Sequence, residues 1–174
     1  FQMLIPVLPV YAESLGATDV QIGLLGATLT VSSLIMRMIS GVALDEIGRR
    51  PIFLGGLVCY LLIVFFFGFI KSFWILIALR FLQGFGWGTA STSSTTIASD
   101  IIPRHRFGEG MGYFSLSTAL AIAIAPALGL QLFHLFGFSI TTFSATALTL
   151  IVLVMALQLP IKSPEKRVKQ EGEK

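Results

Sequence analysis

The chain has 174 residues, of which 55% are hydrophobic and 12% charged, with a formal net charge of +3. Soluble domains carry roughly twice that share of charge, so a water-exposed globular enzyme or a nucleic-acid binder with one basic face is excluded in favour of a chain solvated mainly by lipid. The charges gather at 45–50, 100–109 and 162–174, and the apolar stretches between them are long enough to cross a hydrocarbon core of ~30 Å.

The first apolar stretch, Phe1 to Ala12, covers only about 18 Å as a helix, so the beginning of that helix is expected to be missing. Pro6 and Pro9 fall inside it, where membrane neighbours can satisfy the freed carbonyls. A second span is predicted from about Asp19 to Ser40, with Asp19 as its cap, and a third from Ile52 to Ile70. Its aromatic run Val64 to Phe69 suits a lipid-facing position. Only Lys71 and Ser72 separate it from a fourth span, Phe73 to Ser99, so the two form an antiparallel hairpin. A fifth covers about Gly108 to Phe133 and a sixth about Phe138 to Pro160. The fold class is therefore all-α integral membrane, a bundle of six transmembrane helices over residues 1–160 with a polar linker or tail at 161–174.

Alternate connections between these spans differ in charge. One set holds Arg49, Arg50, Arg104, Arg106, Lys162, Lys166, Arg167, Lys169 and Lys174, whereas the other holds only Lys71. The positive-inside rule then places both termini in the cytoplasm of a plasma-membrane protein. Cys59 is the single cysteine, and His105 and His134 stand apart from other ligand-type residues, so neither a disulfide, a metal nor another cofactor is expected.

The turn Gly41-Val-Ala-Leu-Asp45-Glu-Ile-Gly48-Arg49-Arg50 lies between the second and third spans. Gly41 would let the helix end pack closely, Gly48 would permit a positive φ, and Asp45 and Arg49 carry opposite charges. This turn resembles the Gly-x-x-x-Asp-x-x-Gly-Arg-Arg/Lys loop of the major facilitator superfamily. The resemblance implies a cytoplasmic latch in which Asp45 and Arg49 are joined by an acid at the inner end of the fourth helix, here Asp100. Arg37, near the inner end of the second span, either snorkels to the surface or joins that latch.

In the fourth span Arg80, Gln83, Gly84 and Gly86 resemble the family's Arg-x-x-Gln-Gly-x-Gly pattern. A cation at that depth costs about 2.5 kcal/mol or more, so Arg80 and Gln83 are expected at a polar cavity that binds substrate or couples an ion, with snorkelling as the alternative. Gly84, Gly88, Thr92 and Thr96 recur every four residues, a stripe for close helix packing, and the hydroxyls from Thr89 to Thr96 add possible contacts with water.

The fifth span holds Ala121-Ile-Ala-Ile-Ala125-Pro126-Ala-Leu-Gly129, similar to the Gly-x-x-x-Gly-Pro-x-x-Gly element of the family's drug and proton antiporters, with alanines at the first two glycine positions. Glu109 opens this span as a first-turn acid. No carboxylate lies at mid-membrane, so Glu13 is a weak candidate for proton coupling and the main acid is expected elsewhere.

Together the resemblances imply half of an alternating-access carrier with a three-plus-three helix repeat, embedded in the lipid bilayer and completed by a missing C-terminal half of six helices. Its partners would be a small-molecule substrate and protons, with no nucleic acid. Proton-coupled efflux of a drug or metabolite is the first expectation, and uptake of a sugar or organic anion by symport is the alternative. Enzymatic activity is not expected, for no nucleophile and base or metal cluster lies at depth.

Overall fold

The computed structural model describes residues 1–159, and among these the regular structure is entirely helical. The elements are α1 (Leu4–Ser14), α2 (Asp19–Glu46), α3 (Arg49–Phe67), α4 (Phe73–Ile101), a short 3-10 turn (Arg104–Arg106) and α5 (Phe107–Gln158). Segments Asp19–Glu46, Arg49–Phe67 and Arg104–Gln158 are long and apolar enough to cross a membrane. The six expected spans are thus met by five helices. At 11 residues α1 is short. α4 has 29 residues, ample length, but carries Arg80, Gln83 and the hydroxyl run from Thr89 to Thr96. α5 is interrupted at Gly137, whose φ of 81° and ψ of 177° are not helical, so it consists of two limbs, 107–136 and 138–158, where a fifth and a sixth span were expected. The expected tail at 161–174 lies outside the described residues.

Local chemistry sets these boundaries. α1 ends where Gly16 adopts φ 82°, a left-handed stop that leaves the Ala17 N–H donating to the Ala12 carbonyl. Thr18, not Asp19, caps α2: its hydroxyl accepts from the Gln21 N–H, and the Gln21 side chain accepts from the Thr18 N–H. Asp19 instead occupies the first turn, where its charge suits the helix dipole. α2 runs six residues beyond the expected Ser40, because Val42, Ala43 and the buried Leu44 keep the helix growing until Gly48. α3 stops at Phe67, three residues early, where N–H groups of Gly68, Phe69 and Ile70 donate to carbonyls three residues back and tighten the last turn. Pro103 closes α4.

α2 lies along α4, α4 along α3, α1 against the first limb of α5 and α3 against the second. The core gathers Leu4, Val7 and Leu8 of α1 with Val64, Phe67 and Leu76 at the end that carries the α3–α4 connection. Tyr11 fastens this end: its hydroxyl donates to the Ile70 carbonyl and its ring stacks on Phe138 at 3.5 Å. Large apolar residues such as Val20, Met38 and Leu135 remain exposed, as a lipid solvent permits. Close approach, not hydrophobic exclusion, then holds the helices together. Gly84 and Gly88 of α4 abut Ser32 and Ser33 of α2, while Gly86 meets the backbone of Tyr60 and Gly56 meets Ala90 across the α3–α4 contact.

Gly48 has φ 114° and ψ 158°, a region open almost only to glycine. Gly48→Ala is expected to cost about 1–3 kcal/mol. Thermal unfolding of the detergent-solubilised protein would report it as a lowered midpoint, and an unchanged midpoint would contradict the assigned conformation.

Candidate functional site

The end of the bundle where α2, α4 and the second limb of α5 terminate carries a cluster of charges built by the Gly48 turn. Because α3 starts immediately after Gly48, Arg49 projects back over the last turn of α2. Its Nη1 donates to Asp45 Oδ1 at 2.6 Å and to the Leu44 carbonyl at 2.8 Å, while its Nε donates to Asp100 Oδ2 at 3.0 Å. One guanidinium therefore joins the C-terminal ends of α2 and α4. Its side chain is only 13% exposed, against 76% for Asp45 and 37% for Asp100, so the Asp100 contact is the less screened of the two.

The electrostatics are informative. Both acids sit in the last turns of their helices, where the dipole disfavours negative charge. Arg49 compensates both through its side-chain hydrogen bonds. Carboxylates kept at unfavourable helix ends for one shared cation form a joint that costs little to open.

Arg50 and Gly41, expected in the same assembly, stand outside it. Consecutive helical residues diverge by about 100°, so Arg50 points to the other side of α3, where its Nη2 donates to the Leu157 carbonyl at 2.8 Å in the last turn of α5. Gly41 is exposed with open space where a Cβ would be, so nothing among the described residues packs closely on it. Arg37 is also exposed and forms no ion pair among the described residues. Arg106 pairs with Glu109 through two 2.8 Å hydrogen bonds at the start of α5, so Glu109 serves as a partner as well as a first-turn acid.

The second cluster lies inside α4. Arg80 is 4% exposed and Gln83 fully buried, and Arg80 Nη1 donates to Gln83 Oε1 at 2.7 Å. Burial keeps Arg80 from reaching the surface, and both residues lie in the wall near Tyr60 of α3, whose ring is 6.1 Å from that of Trp87. Three buried polar atoms there, Arg80 Nε, Gln83 Nε2 and Tyr60 Oη, have no hydrogen-bond partner among the described residues. Gly84, grouped with them in the sequence, instead faces Ser32 and the Leu29 carbonyl of α2, a packing position. Hydroxyls of Ser93, Thr95 and Thr96 donate to carbonyls of their own helix, and Ser40 reaches across to Thr89 at 3.2 Å.

In α5, Ala121 is exposed, Ala125 and Pro126 are partly buried, and Gly129 is buried against the carbonyl of Met3, the residue that caps α1. The proline element therefore meets α1 through Gly129. Tyr60 and the Ser40–Thr89 pair were not singled out in the sequence, since one tyrosine in an apolar run and scattered hydroxyls carry no spacing signal. Among the described residues no group of three or more His, Cys, Asp or Glu side chains is placed to hold a metal.

Comparison with known proteins places this geometry. A sequence model of the Major Facilitator Superfamily matches residues 1–174. The chain is 33% identical over 113 residues to the quinolone resistance protein NorA of Staphylococcus aureus, a match covering 65% of this chain and 29% of that protein. It is 30% identical over 108 residues to the probable vesicular acetylcholine transporter-B of Danio rerio, covering 58% of this chain and 22% of the relative. The human organic anion transporter MFSD10 (TETRAN) shares the fold, with a TM-score of 0.77 at 20% identity over 95% of this chain and 46% of that structure.

Proposed function

Because the chain belongs to the major facilitator superfamily, a family of membrane transporters and not of enzymes, we propose that it forms the first half of an alternating-access exporter for a small amphipathic molecule, driven by protons. Residues 1–160 would be the bundle, 161–174 the linker, and a second bundle the surface against which this one rocks. Positive residues at the Gly48 turn and the α4–α5 connection support a cytoplasmic location for that end.

The observation that carries this reading is the Arg49 joint. It spans the ends of α2 and α4 with interactions weak enough to break during a transport cycle and directional enough to favour one state. Similarity to NorA and the Ala125-Pro126 element support efflux over uptake. Asp45, Arg49 and Asp100 would act as the latch, Gly48 as its turn, and Arg50 as a brace to α5. In proteoliposomes preloaded with a fluorescent amphipathic dye, the full-length protein should release dye faster when the outside is acidified, and a protonophore should remove the acceleration. Dye loss indifferent to the pH gradient would reject proton coupling.

A second reading, uptake of an organic anion, draws on Arg80. Its buried charge has only the neutral Gln83 amide as hydrogen-bond partner among the described residues, so an anionic group is the missing complement. Arg80→Gln should then abolish organic-anion accumulation in cells, while Arg80→Lys retains part of it.

A further inference from the structure

The aromatic run at the end of α3 plays no part in the latch or in the Arg80 cluster, yet it is built into a defined shape. Phe65, Phe69 and Phe143 pack edge-on and tilted at centroid separations of 5.4 to 5.8 Å, a ladder joining α3 and its following turn to the second limb of α5. Beside it, Phe66, Phe69, Ile70, Lys71, Ile75 and Leu79 line a groove of about 340 Å³ between the end of α3 and the start of α4. Its walls are apolar except at the mouth, where Lys71 stands exposed and forms no ion pair among the described residues.

Lys71 is held there by its neighbours. Ile70 is buried and its carbonyl accepts from Tyr11, while Phe73, two residues on, is buried at the start of α4. The backbone is thereby fixed and only the lysine stem moves. The adjacent Trp74 is 68% exposed, as suits an aromatic residue at the level of lipid headgroups. From Phe73 to Leu79 the groove descends about 9 Å into the hydrocarbon region.

We propose that this groove is a binding site for an anionic phospholipid, with the phosphodiester on the Lys71 ammonium and one acyl chain along Phe66, Ile75 and Leu79. The charge complement decides among lipids. An uncompensated cation on a fixed backbone above an apolar slot favours a net negative headgroup, whereas a zwitterionic lipid brings its own ammonium to the same mouth. The ring ladder is already ordered, so the acyl chain meets a preformed wall. The site requires that the chain be embedded in a bilayer with this face clear of the second bundle, and it stands whichever way transport runs.

The test places the photo-crosslinking residue benzoylphenylalanine at position 74 in proteoliposomes of equal phosphatidylglycerol and phosphatidylcholine. Mass spectrometry of the adducts should show phosphatidylglycerol in about fivefold excess, the ratio one lysine near a headgroup supports. Lys71→Ala and Lys71→Gln should bring the ratio to parity, and Lys71→Arg should keep the excess. Equal labelling by both lipids with Lys71 in place, or an excess that survives Lys71→Ala and Lys71→Gln, would overturn the assignment.

Discussion

Gly84→Val is expected to prevent the protein from accumulating in the membrane. A Cβ at position 84 would collide with Ser32 Oγ and lie 2.8 Å from the Leu29 carbonyl of α2, and the latter is backbone that cannot rotate away. Overpacking in a close-packed interior costs about 1–3 kcal/mol for small insertions and more where the neighbour is main chain. The α2–α4 contact would have to open along its length, because Gly88 one turn later is equally close, a Cβ there lying 2.7 Å from the Ser33 carbonyl. Gly84→Ala should give a protein that inserts but unfolds at lower temperature, and Ser32→Gly should restore part of the loss by removing two of the three clashing atoms. Gly26→Ala provides the contrast: Gly26 has open space around it, so this change should leave the midpoint unchanged or raise it slightly. Membrane abundance and thermal stability of these four variants check the expectation. Normal abundance of Gly84→Val would show that α2 and α4 do not approach as described.

Arg49→Ala should have the second large effect, on transport and not on folding. The side chain makes one contact to a highly exposed acid, one to a less exposed acid and one to a carbonyl, each on the order of 1 kcal/mol or less after solvent screening. Their sum of about 2–3 kcal/mol would shift an evenly balanced equilibrium by about 30-fold to 150-fold toward the state in which the joint is open. Transport should fall steeply while the protein still reaches the membrane. Asp100→Asn should reproduce most of this loss and Asp45→Asn less, since Asp45 is the more exposed. Arg49→Ala combined with Asp100→Asn should be no worse than Arg49→Ala alone. Transport rates normalised to membrane abundance decide it, and fully additive losses would separate the two residues into independent roles.

Much of this arrangement was legible in the chain. Long apolar stretches broken by charge made the helices visible, and fixed spacing made Asp45, Gly48 and Arg49 visible as a turn. The directions of individual side chains were not. Arg49 and Arg50 look interchangeable in sequence, but the helical step sends one to Asp100 and the other to Leu157. Gly84 reads as part of a polar pattern with Arg80 and Gln83, yet one further step around the helix turns it from the buried polar wall to the α2 contact. Helix ends moved by three to six residues because capping depends on a local hydrogen-bond exchange, such as that of Thr18 with Gln21, which apolar periodicity does not encode.

Gly48 and Gly137 close two helix hairpins, one at each end of the bundle, with backbone angles from the same sparsely populated region. A turn made by a single such residue has no slack in its length. One residue inserted after Gly48 would rotate everything that follows by about 100°, carrying Arg49 from Asp100 and Gly56 from Ala90 in a single event. Descendants of this sequence can therefore gain or lose residues in the connection at 102–106, but at these two glycines length itself is under constraint.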